Sequence, residues 1–197
     1  MSQIKHQTTF KFIPTVLAIF ALTCTMILPS NTWAQTNWSA VPGGALDIDA
    51  GGADGNRVWV IGTDGNMYPY NPHPTRVSNP WDPFAPPAQG CKRVAVDDEG
   101  NAWVVDGQNN IWRFDGVGKF QKIPGAALDI GASTGRVWAI GTDGNIYPYN
   151  NHPTRVSNPW DPFAPPTQGC TAITVDGDDK GWVVGGNTTI HRFTPAQ

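Results

Sequence analysis

Charge, histidine and cysteine are all scarce in this chain. Its 197 residues carry 13 lysines and arginines against 16 aspartates and glutamates, and no block of like charge stands out. Nucleic-acid binding needs a basic patch or stripe, so that partner class is excluded. There are only four histidines and three cysteines. No His-Glu-x-x-His run, nucleophile elbow or Cys-x-x-Cys pair occurs, which removes the common metalloprotease, serine-hydrolase and thiol-redox signatures. Sustained helical periodicity is also missing after the first 34 residues, and with it any reason to expect helices there.

The one long apolar run is Ile13 to Leu28. Lys5 and Lys11 precede it as a positive n-region, and Thr32-Trp33-Ala34 follows with small residues at the cleavage-determining positions. Residues 1–34 therefore read as a secretory signal and residues 35–197 as the exported domain, secreted or periplasmic, with no membrane span in the mature chain. Export would place Cys91 and Cys170 in an oxidising compartment, where a disulfide between them is one expectation. The other is that both are small buried residues, filling the place that Ala45 and Ala127 fill elsewhere.

Repetition is abundant. The fifteen residues from His73 to Pro87 return unchanged as His152 to Pro166. They sit inside a longer duplication with a finer grain. Four segments each contain three short runs rich in Val, Ile, Trp and Tyr, such as Leu46-Asp47-Ile48, Arg57-Val58-Trp59-Val60-Ile61 and Met67-Tyr68-Pro69-Tyr70. Asp-Gly and Gly-Asn turns separate them, Thr63-Asp64-Gly65-Asn66 and Thr142-Asp143-Gly144-Asn145 being tight hairpin signals. A fourth run, marked by Trp38, Trp81, Phe120 and Trp160, precedes each segment.

The repeats span about 38–80, 81–118, 119–159 and 160–197. The order predicts an all-β, four-bladed β-propeller with four short antiparallel strands per blade. The chain opens with an outer-type run, Asn37 to Val41, and its last run ends at Phe193, so the two terminal strands are expected to pair and close the ring. Trp59, Trp103, Trp138 and Trp182 hold one repeated position and are expected in the core between blades. Pro69 and Pro148 stand where the alternate repeats have Arg113 and Arg192. A proline removes a ladder donor, so the outer edge of those third strands is expected to be poorly paired.

The pattern resembles the tectonin β-propeller family at Trp38-x-x-Val41-Pro42-Gly43-x-Ala45, at Leu-Asp-Ile followed by Arg-Val-Trp, and at Gly144-Asn145-Ile146-Tyr147. The likeness covers nearly all of residues 35–197. It implies a lectin-like propeller that binds glycans without a cofactor. Better-known members look six-bladed, whereas this chain has four repeats and a Pro-rich insert in two of them.

The insert supplies the candidate ligand-binding residues: Tyr70, His73, Arg76, Trp81 and Asp82, and again Tyr149, His152, Arg155, Trp160 and Asp161. An aromatic ring can cover the apolar face of a sugar while Arg, His and Asp bond its hydroxyl rim. Two such loops on one rigid body would gain avidity on a glycan or polysaccharide surface. The competing reading makes Trp81 and Trp160 outer-strand packing residues, as Trp38 is. The alternative function is a structural or protein-binding scaffold of the cell envelope, with an envelope protein as partner. A propeller hydrolase or lyase using Asp47 and Asp129 is weaker, because strand-end solvation explains those residues. No catalytic residue, cofactor or metal is assigned. Asp97, Asp98, Asp176, Asp178 and Asp179 read as turns, since Lys180 stands where a calcium loop needs an oxygen.

Overall fold

Alternating β-branched and aromatic residues, cut by Gly and Asp turns, give twelve strands in a computed structural model that describes residues 39–72, 74–76, 78–84, 87, 90–133, 135–163 and 169–193. The strands are β1 (Ala45–Gly51), β2 (Arg57–Gly62), β3 (Met67–Pro69), β4 (Arg93–Val96), β5 (Ala102–Val105), β6 (Asn110–Phe114), β7 (Phe120–Ser133), β8 (Arg136–Gly141), β9 (Ile146–Pro148), β10 (Ala172–Val175), β11 (Gly181–Val184) and β12 (Ile190–Arg192). All pairings are antiparallel meanders. They form sheets β1-β2-β3, β4 through β9, and β10-β11-β12.

The central sheet holds two repeats because β7 belongs to both. Its first half pairs with β6 as the outer strand of repeat 2, Ile123 lying opposite Ile111. Its second half pairs with β8 as the inner strand of repeat 3, Ile130 opposite Ala139. In repeats 1 and 3 the outer strand shrinks to isolated bridges, Tyr70 with Trp81 and Met67 with Phe84, then Tyr149 with Trp160 and Ile146 with Phe163. The prolines account for this. Pro69 has no N–H to give, although its carbonyl still accepts from Asp82 N at 3.1 Å.

Consecutive repeats stack through their faces, with inner strand packed beside inner strand in the order β1, β4, β7, β10. Trp59 fills the first junction with Cys91, Val94 and Val104; Trp103 fills the second with Ile123, Ile130 and Trp160; Trp138 fills the third with Ile173, Val175 and Val183. Burying one such indole removes about 150–250 Å² from water, roughly 4–6 kcal/mol of gross transfer free energy. Asp47 and Asp129 are not merely solvated strand ends. Asp47 Oδ2 accepts from Val94 N at 2.8 Å, and Asp129 Oδ2 from Ile173 N at 2.8 Å, stitching one inner strand to the next.

The turn aspartates also have structural work. Asp97, Asp106 and Asp176 each accept backbone N–H groups of their own turn and the indole N–H six residues on, at 3.0, 2.9 and 2.8 Å from Trp103, Trp112 and Trp182. Asp97 and Asp176, expected to mark turns, therefore anchor indoles as well, and Asp106 does the same.

Three expectations meet a different structure. Trp182 is only half-buried, unlike its three equivalents, because no further repeat packs on its face among the described residues. Closure of the ring by the two ends is not formed there either: Ser39 to Val41 make no strand, and β12 pairs only with β11. Asn37 and Trp38, like the signal at 1–34, lie outside the described residues. Cys91 and Cys170 are not joined to each other. They are buried in the first and third junctions, two repeats apart.

Candidate functional site

The polar residues of the two inserts bind each other before they can bind anything else. The Arg76 guanidinium pairs with Asp82, and its Nη2 donates to Trp81 O at 3.0 Å. Asn71 Nδ2 donates to the other oxygen of Asp82 at 2.9 Å. The second copy repeats this: Arg155 pairs with Asp161 and donates to Trp160 O at 3.0 Å, and Asn150 reaches Asp161 at 2.9 Å. Short 3-10 turns, Pro74–Arg76 and Pro153–Arg155, start each loop with φ already fixed by proline. His152 caps the second of them through Thr154. His73 lies outside the described residues.

The tryptophans point back onto the sheet. Trp81 Nε1 donates to Pro42 O and Trp160 Nε1 to Pro124 O, each at 2.6 Å. Each indole lies over a glycine, Gly43 in the segment leading into β1 and Gly125 within β7. A Cβ on Gly43 would sit 2.9 Å from Trp81 Nε1, and one on Gly125 2.8 Å from Trp160 Nε1. Both glycines hold φ near +120°, where a side chain is strained in any case. Tyr70 and Tyr149 pack against the indoles, with ring centroids 5.2 and 5.3 Å away. The expected aromatic and polar residues do come together, but as an outer-strand brace.

What this brace creates is a pair of equivalent grooves. One, of about 450 Å³, lies between Trp81, Gly43, Thr63, Asp64, Tyr68 and Asn79. The other, of about 400 Å³, lies between Trp160, Gly125, Thr142, Asp143, Tyr147 and Asn158. Ile111 of repeat 2 forms a further wall of the second groove. Both volumes fall in the range of ordinary ligand sites.

The groove rims are electrostatically fixed. Tyr68 Oη donates to Asp64 Oδ2 at 2.7 Å, as Tyr147 Oη does to Asp143 Oδ2. The Asn66 N–H, then the Tyr68 hydroxyl, hold the Asp64 carboxyl below the usual carboxylate range; for Asp143 the Tyr147 hydroxyl leads, followed by the Asn145 N–H. The same bonds push both phenols up. A carboxylate held ionised and a phenol held protonated act as fixed acceptor and donor at neutral pH, and neither is poised for proton transfer there. Asn79 or Asn158 and one indole wall complete the lining of each groove.

Thr63, Asp64, Tyr68 and Asn79, with their second copies, do not figure among the sequence candidates. The available signal was the Asp with Tyr four residues later, present in both copies beside a hairpin turn.

No protein-family model and no curated protein sequence matches the chain. Solved structures do match. YCF48 from Cyanidioschyzon merolae superposes with a TM-score of 0.53 at 18% identity, over 81% of this chain and 57% of that one. The WD40 β-propeller domain of Doa1 gives 0.56 at 12% identity over 78% and 51%, and the WD40 repeats of RRP9 give 0.54 at 10% over 79% and 52%. The likeness is one of fold: the chain is an array of β-propeller repeats that spans about half the length of the structures it matches.

Proposed function

We propose that this chain is a protein-binding propeller scaffold whose four repeats act as four blades, and whose Trp81 and Trp160 grooves dock extended peptide segments. The observation that carries the reading is the duplicated groove itself. Each copy offers an indole wall, a glycine floor and a fixed donor–acceptor rim, a combination that suits a peptide backbone with one apolar side chain. The groups that best suit a sugar's hydroxyl rim, Arg76, Asp82, Arg155 and Asp161, are already paired with one another. The fold shared with WD40 propellers supports a scaffold role. Export through residues 1–34 would put the scaffold at the cell envelope or beyond it.

Carbohydrate binding is the second reading. It draws on the tectonin-like motifs and on Trp81, whose half-buried indole lies beside Asn79 and Asp64. Parallel screening of the purified protein on a peptide-display library and a glycan array separates the two. Selected peptides should bind the wild type and lose at least about tenfold in affinity to a Thr63→Arg/Thr142→Arg double variant, whose side chains fill both grooves. Binding to sugars alone, or peptide binding indifferent to the double variant, would sink the proposal.

A further inference from the structure

The second junction shows what a completed contact between repeats requires. Ile111 of β6, Ile123 at the outer end of β7 and Ile130 on its inner half are 1, 5 and 4% exposed. The repeat pattern places Ile190, Val41 and Ile48 at the corresponding positions, and these are 73, 48 and 60% exposed. Residues of the same chemistry are thus sealed at one junction and bare at the two ends of the array.

The ends are also complementary in backbone. In repeat 2 the outer strand is the segment that leads into the next repeat's inner strand, with Ile123 opposite Ile111. Among the described residues, the segment leading into β1 has no strand of another repeat beside it, and β12 has no outer neighbour. Transferring the β6–β7 register sets Val41 opposite Ile190 and Ala40 opposite His191.

We propose that a second copy of this chain closes the ring, the Trp182 face of each copy packing on the β1–β2 face of the other to make an eight-bladed dimer. Curvature argues for a partner over self-closure. Four repeats superpose on about half of the propellers they match, and β1 does not pack on β10 as consecutive inner strands do. In the dimer the partner's Ile190 stands against Trp81 as Ile111 stands near Trp160, so the Trp81 groove is finished by the other copy. Its two-fold symmetry makes both new junctions identical. The inference concerns assembly and stands whatever the grooves bind.

Cysteines at the transferred register test it. A Val41→Cys/Ile190→Cys variant in a Cys24→Ser background, oxidised with diamide, should run as a covalent dimer on a non-reducing gel, while the Cys24→Ser parent under the same oxidant, with Cys91 and Cys170 buried, should not. Light scattering on the wild type should give twice the chain mass at micromolar concentration. Ile48→Glu should weaken the association by about 30-fold or more with an unchanged circular dichroism spectrum. A link formed within one chain would mean self-closure and overturn the proposal. So would a monomeric wild type whose cysteine variant forms no link, which would assign the bare faces to a different occupant.

Discussion

Truncating Trp160 and Trp81 to alanine gives the sharpest reading of the repeat architecture, because sequence surroundings are identical and only the packing differs. Both indoles donate to a proline carbonyl at 2.6 Å and both lie over a glycine. Trp160 belongs to the second core cluster, while Trp81 is half-buried and belongs to no core cluster of buried residues. Removing a fully buried tryptophan costs about 3–5 kcal/mol, and for a domain of this size each kcal/mol lowers Tm by roughly 2–4 °C, so Trp160→Ala should lose about 6–20 °C. Trp81→Ala should lose about half as much in dilute protein, since the solvated part of its ring has no transfer term to forfeit. Urea titration followed by far-ultraviolet circular dichroism measures both without relying on indole fluorescence. Raising protein concentration should widen the Trp81→Ala loss towards the Trp160→Ala loss, because association buries the Trp81 face. A Trp160→Ala loss under about 1 kcal/mol would refute the packing role given to these indoles.

Two further outcomes are expected. Asp97→Ala should destabilise the protein by about 3 kcal/mol or more, because it strands the buried Trp103 indole N–H together with two turn N–H groups; denaturant midpoints check this, and a neutral variant would remove the anchoring role. The Trp182 indole, then the Lys180 N–H, depress the Asp176 carboxyl below its ordinary 3.8. A depressed folded value means that its stabilisation is complete above about 3.8 and is lost as pH falls through the lower folded value. Asp176→Asn should flatten that part of the acid unfolding curve, and an unaltered curve would show that the indole bond does not bias the titration.

Much of the fold was legible because the repeat shows the same spacing four times. Asp-Gly turns, β-branched runs and Trp59, Trp103 and Trp138 lie where periodicity and bulk require. Pro69 and Pro148 marked the weak outer edges because a missing N–H is a local fact. The fate of Trp182 was not legible, since a repeat cannot show from within where the array stops being covered. The pairing of Arg76 with Asp82 was hidden for a related reason: residue types announce chemistry, but only the returning chain decides whether a guanidinium meets a ligand or its own neighbour. Cys91 and Cys170 occupy one repeated position, and equivalence in a stacked array implies separation. Thr63 and Asp64 read as a turn and Tyr68 as part of a strand, although the recurring Asp–Tyr spacing holds the groove rim as well.

Strand β7 has a mechanical consequence. Repeats 1 and 2 are joined through the Pro-rich segment, as are repeats 3 and 4, but repeats 2 and 3 share a single unbroken stretch of backbone. One half of that stretch pairs with β6 and the other with β8, so both repeats are anchored on the same backbone segment. In a linear array with nearest-neighbour coupling, this is the stiff link. The middle pair should therefore come apart as one body, leaving the flanking repeats to fray separately, and cuts placed in the Pro-rich segments should be survivable where a cut within β7 is not.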